Sequence, residues 1–119
     1  LKLEISKKDI KAIHEASNKL RKEQDIDIVM TTLSEMGVYI SDNDKYHQIP
    51  AEIRDIADVS GAGDTVVSTA SLCLAAGLRP EEIAWISNIS GGLVCEKVGV
   101  VPILKDILLQ ECIELRNSI

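Results

Sequence analysis

The first stretch of the chain carries apolar positions at helical spacing. Ile10, Ile13, Ser17 and Leu20 make one stripe that predicts a helix to about Lys22. Ser6 stands three residues before Asp9, a capping-box-like pair with Asp replacing the usual Glu or Gln. Lys7, Lys8, Lys11, Lys19, Arg21 and Lys22 read as the solvated outer face. His14 lies beside the stripe and reads as a partly buried packing histidine, since no second ligand is nearby. The pattern then changes period. Ile26 to Thr32 is short, β-branched and apolar, which predicts a strand buried on both faces. Gly37 permits a turn, and Val38-Tyr39-Ile40 predicts a second strand. After the polar loop Asp42-Asn43-Asp44, His47 to Pro50 and Glu52 to Arg54 read as short strands, with Pro50 marking an edge or a break.

The remainder is helical in pattern. A helix is predicted from Asp64 to Ala76, stopping at Gly77; Pro80 starts another, which runs to about Lys97. Gly99 closes it, and Pro102 opens a last helix ending near Arg116. The expected order is one helix, then strands, then three helices, with no internal repeat. A complete doubly wound sheet needs more βα units than this.

Composition narrows the class. The chain has 119 residues, 45% of them apolar, with 13 basic and 19 acidic side chains and a net charge of −6. That balance argues against a large footprint on nucleic acid. No apolar run approaches the roughly 18 residues that span a bilayer, so no membrane partner is expected. With no Phe, one Trp and two Tyr, the core must be aliphatic. Cys73, Cys95 and Cys112 are widely spaced in apolar stretches and read as buried free thiols, which predicts a reducing, cytoplasmic setting. The chain opens Leu1-Lys2-Leu3-Glu4, which leaves it readable as a piece of something longer.

The stretch that carries chemistry is Ala57 to Thr65, read as a strand end, a turn of tiny residues and a helix start. Gly61, Ala62 and Gly63 let backbone N–H groups converge at a positive helix end, which makes an anion hole. Asp64 in the first turn sets a carboxylate where it could take the proton of a hydroxyl attacking a phosphate. A purely structural reading also stands here, because an Asp in a first helical turn is favoured by the dipole alone. Competing motifs are absent. There is no GxxxxGK[ST], Val66 occupies the third glycine position of a dinucleotide fingerprint, and no HExxH or GxSxG occurs.

Asp58 to Thr65, reading DVSGAGDT, resembles the C-terminal signature of the ribokinase-like (PfkB) carbohydrate kinases. Thr31 to Gly37 resembles that family's nucleotide-side strand and turn. Asn88-Ile89-Ser90-Gly91-Gly92 with Lys97-Val98-Gly99 resembles its small-residue helix against the adenine. Within the family, TLSEMG and DVSGAGDTVVS are most similar to bacterial kinases of D-glycero-D-manno-heptose 7-phosphate. The resemblance implies an α/β chain that is the C-terminal, nucleotide-side fragment of a ribokinase-like three-layer fold. The sugar-binding N-terminal half would then lie outside residues 1–119. It implies ATP with Mg²⁺ as cofactors and a sugar phosphate as partner. Asp64 would be the base, with Gly61, Ala62 and Gly63 as the hole for the transferring phosphoryl group. Thr32, Ser34 and Gly37 would line the phosphate and ribose side, Asn88 and Gly91 the adenine. Asp58 and Ser60 match the loop that holds a monovalent cation, K⁺, in many members. Ser34 stands where many sugar kinases have Gly. An isolated piece of this kind would have an open sheet edge and an apolar face, which predicts a homo-oligomer. A non-catalytic nucleotide- or anion-binding module is the other reading of the same residues.

Overall fold

The structure is a computed structural model and describes residues 9–33, 36–43, 45–51 and 54–117. Helix α1 (Ile10–Gln24) begins at Asp9, whose carboxylate accepts the Ala12 N–H, and ends at Asp25 in the left-handed conformation. Ser6, the other member of the expected cap, lies outside the described residues, as do Lys7 and Lys8. Ile13, Ser17 and Arg21 form the buried stripe, at a spacing of four that keeps them on one face. Arg21 is thus a correction to the expected solvated face. Its guanidinium donates to Asn18 Oδ1, to the Asp42 carbonyl and to Ser41 Oγ, so its terminal nitrogens find acceptors on the helix, the adjacent strand and the turn, while Nε has none among the described residues. His14 is half-buried, as expected. It shares hydrogen bonds with the Tyr39 hydroxyl and Asn18, and its ring lies against Tyr39 and Tyr46.

Three strands follow: β1 (Val29–Thr32), β2 (Val38–Ser41) and β3 (Tyr46–Ile49), in the antiparallel order β1-β2-β3. The strand buried on both faces is β2, every residue of which is buried, and not the 26–32 segment. Here pairing overrides composition. β1 forms its ladder with β2 alone, so its β-branched residues are only half-buried, and Thr32 is exposed. On one face of β2, Val38 and Ile40 pack with Cys73, Ile83 and Ala84. On the other, Tyr39 packs with Ile13 and Leu33. The sheet therefore lies between α1 and the later helices, which gives the expected three layers. Pro50 ends β3, and Arg54 lies in no strand; residues 52 and 53 are outside the described set.

Helix α2 (Ala62–Ala75) starts two residues before the predicted Asp64 and ends before Gly77, whose positive φ lets Leu78 N–H reach the Cys73 carbonyl. Helix α3 (Pro80–Cys95) has Pro at its first position, as predicted. Their packing is close because α3 is small where it meets α2. A Cβ on Gly91 would stand 2.7 Å from Val66 Cγ2. Helix α4 (Lys105–Asn117) packs on α3 and starts three residues later than Pro102. The Leu104 carbonyl accepts the Leu108 N–H, so Leu104, rather than the proline, opens the helix. Of the three cysteines, all free, only Cys73 is fully buried; Cys95 and Cys112 are half-buried at helix surfaces, a partial correction to the expected burial.

Candidate active site

Residues 54–61 form no strand, contrary to the expected strand end before the glycine turn. Instead the N–H groups of Ala57 and Asp58 both donate to the Cys95 carbonyl, at 2.9 and 3.2 Å. The C-terminus of α3 thus takes the place of a ladder partner. Arg54 anchors the start of this loop by donating to Glu96 at 2.6 Å and Glu111 at 2.8 Å.

Asp58 binds the loop together. One carboxylate oxygen accepts the Ser60 N–H at 3.0 Å and its hydroxyl at 2.8 Å, while the other accepts the Gly99 N–H at 2.9 Å. The Ser60 hydroxyl first, then the Gly99 N–H, holds the carboxyl below the usual carboxylate range. A folded value depressed in this way stabilises the fold at neutral pH, and that contribution is lost as pH falls through the depressed value. Asp58→Asn, nearly isosteric with the protonated acid, is therefore expected to lower the thermal midpoint at about pH 7. The gap should narrow as the pH falls from neutral through that depressed value, where wild-type Asp58 becomes protonated. A gap that stays constant across that range would contradict the assignment.

The turn after Asp58 opens α2. Gly61 has φ +76 and caps the helix with no side-chain hydrogen bond, and Val100 covers it from one side. Ala62 N–H reaches the Val59 carbonyl and Thr65 N–H the Gly61 carbonyl, but those of Gly63 and Asp64 carry no bond among the described residues. Nothing lies within 4 Å of the position a Cβ would take on Gly63. Asp64 is exposed, and no partner holds its carboxylate among the described residues. Two free amide donors, the helix dipole and a carboxylate therefore meet at one open point, which suits an anion carrying a reactive hydroxyl alongside.

The remaining candidates line a connected corner. Thr32 ends β1; beyond it the Leu33 N–H donates to the Gly37 carbonyl at 2.7 Å, closing a tight turn. Ser34 lies outside the described residues. Gly37 has φ +89 and sits against the backbone of Ile49, Pro50 and Ala51. Asn88 on α3 donates to the Pro50 carbonyl at 2.9 Å. One helical turn on, a Cβ added to Gly91 would meet Val66 and, at 3.9 Å, the Ala62 carbonyl of α2. The strand turn, Asn88, Gly91 and the α2 N-terminus thus form one line of contacts. The residues missed by sequence reasoning are Arg54, Glu96 and Glu111, because no local spacing announces an ion pair between distant segments.

Cys73 and Cys95 contribute no nucleophile. Burial raises both thiols above their ordinary value, and the Asp58 charge raises Cys95 further. Among the described residues no group of three or more His, Cys, Asp and Glu is placed to hold a metal. The Asp58 carboxylate already accepts three hydrogen bonds, so with Ser60 it fits a loop brace better than an ion cage. No described helix is long and apolar enough to cross a membrane.

A family profile described as pfkB family carbohydrate kinase matches residues 2–106. The bifunctional protein HldE of Methylobacillus flagellatus is 37% identical over 107 residues, which is 90% of this chain and 22% of that protein. The crystal structure of phosphofructokinase-2 from Escherichia coli in complex with potassium superposes with a TM-score of 0.79 at 19% identity, over 87% of this chain and 34% of that one. Ribokinase from Thermotoga maritima gives 0.71 at 19% identity, over 82% and 34%. The chain spans about a fifth of the length of the curated relatives it matches. The structural likeness establishes that it has the fold of part of a ribokinase-like kinase.

Proposed function

This chain belongs to the pfkB family of carbohydrate kinases, and on that premise we propose that it is the nucleotide-side, C-terminal part of a longer kinase. The reaction is ATP-dependent transfer of a phosphoryl group to a sugar phosphate hydroxyl. The observation that carries this reading is the uncapped start of α2, where free amides of Gly63 and Asp64 adjoin an unpartnered carboxylate.

The acceptor oxygen forms a new bond to the γ-phosphorus while the bond to the bridging oxygen breaks and ADP departs with that electron pair. Asp64 receives the hydroxyl proton, late in the transfer. The free amides of Gly63 and Asp64 stabilise charge on the equatorial oxygens and need no reorganisation, because the Asp58 brace fixes the turn; the Ala62 amide, part of the expected hole, is engaged by the Val59 carbonyl. Thr32, Ser34 and Gly37 border the phosphates and ribose, and Asn88 and Gly91 the base. Magnesium, when bound with the nucleotide, neutralises phosphate charge. Potassium at Asp58 and Ser60 would share that carboxylate with three donors.

The acceptor proposed is a heptose 7-phosphate, on the TLSEMG and DVSGAGDTVVS wording. Three free thiols support a reducing, cytoplasmic setting. Exposed Leu72, Leu74, Leu109 and Ile113 support self-association into a homo-oligomer. The test is phosphotransfer by the full-length natural chain against a panel of sugar phosphates. Heptose 7-phosphate should give the highest kcat/KM. A different best acceptor would overturn the substrate, and nucleotide binding without any transfer would favour an anion-binding module instead.

A further inference from the structure

The loop that delivers Gly61 to Asp64 is held from behind by one side chain. Only 9% of the Arg54 side chain is exposed, and its two terminal nitrogens go to separate carboxylates, Glu96 at 2.6 Å and Glu111 at 2.8 Å. Glu96 caps the C-terminus of α3 and Glu111 lies on α4, so Arg54 joins the loop to two helices at once. Its seat is shaped by Gly92. A Cβ there would stand 2.7 Å from Arg54 Nε and 3.0 Å from Cδ, so only a glycine leaves the guanidinium where it is. Between Arg54 and the turn, the loop is tied to the same segment by Ala57 and Asp58 at Cys95 and by Asp58 at Gly99. Every one of these attachments ends on residues 95–99 or on α4.

We propose that Arg54 is a positioning residue for phosphoryl transfer. Through Glu96 and Glu111 it sets the placement of residues 54–61 on α3, and with it where the Gly63 and Asp64 amides and the Asp64 carboxylate stand. The inference rests on the reading of the α2 N-terminus as the phosphoryl site. Removing the guanidinium does more than delete a contact, because it leaves the partly buried Glu111 carboxylate, and the more exposed Glu96, without their shared cation. Lysine cannot replace it fully, since a single ammonium lacks the fork that reaches two acceptors from one rigid plane. Misplacement of a reacting group by about 1 Å can cost on the order of 100-fold in rate.

The experiment is steady-state kinetics and thermal melting on the full-length chain, with Arg54→Met, Arg54→Lys, Glu111→Gln and Asp64→Asn in parallel. Arg54→Met is expected to lower kcat by about 10- to 100-fold with the KM for ATP within about threefold, and Arg54→Lys to restore part of that loss. Glu111→Gln should lower kcat in the same direction and by less. If Arg54→Met does not fold, Arg54→Lys and Glu111→Gln decide the matter. Unchanged kcat in the folded variants, while Asp64→Asn is inactive, would overturn the positioning role and leave the site reading intact. An active Asp64→Asn would overturn both.

Discussion

Asp64→Asn in the full-length chain is expected to lower kcat by about 10²- to 10⁴-fold, the range a positioned general base contributes, with the KM for ATP held within about threefold. The substitution keeps the shape of the side chain and removes its ability to take a proton. Asp64 is exposed in the first turn of α2, and no hydrogen bond or ion pair among the described residues engages its carboxylate. Loss of the carboxylate should therefore leave the fold standing, and circular dichroism with thermal melting checks that point. The competing account is that Asp64 only complements the helix dipole, a role worth about 0.3–1 kcal/mol of stability at an exposed site. That account predicts a slightly lower melting point and normal turnover. Kinetics separate the two cleanly, because one places the effect in kcat and the other places it in stability.

What could be read in advance at this site was local. DVSGAGDT predicts a turn of tiny residues and a helix start, and the structure puts Gly61 at φ +76 with α2 beginning at Ala62, two residues before the expected Asp64. Pro80 and Gly77 likewise act on their immediate neighbours, and both helix boundaries fall where those residues place them. What could not be read was long-range. Asp58 and Gly99 are 41 positions apart, and Arg54 lies 42 and 57 positions from its two carboxylates. A lone Arg after an isoleucine has no spacing that names its partner. Burial was misjudged for the same reason. The 26–32 segment has the composition of a core strand, yet β2 holds the centre because, among the described strands, it alone has neighbours on both sides. Arg21 reads as a surface charge until the turn at Asp42 is folded over it.

The largest expected effect on stability comes from Gly37→Ala, at about 2–6 kcal/mol from two sources that act at one atom. The first is conformational. Gly37 has φ +89, and a residue with a Cβ held in such a region costs about 1–3 kcal/mol. The second is steric, with overpacking costing about 1–3 kcal/mol. The added Cβ would stand 1.9 Å from the Ile49 carbonyl oxygen, 2.7 Å from the Ala51 nitrogen and 2.8 Å from the Pro50 carbonyl carbon. All three are backbone atoms at the end of β3, so no side chain can swing aside. Relief requires β3 and β2 to part, and Val38, the next residue, is 2% exposed in the core. Because native domains are stable by only about 5–15 kcal/mol, a loss of this size consumes a large share of the margin. Urea unfolding of the full-length chain, followed by circular dichroism, should show the transition of this region at markedly lower denaturant. A midpoint equal to wild type would mean that the turn can take another path and that Gly37 is chosen for ligand access alone. The expected collapse instead makes the turn between Thr32 and Gly37 a structural element first. Its place beside Pro50, whose carbonyl also accepts the Asn88 side chain, is then a consequence of backbone packing that only glycine permits.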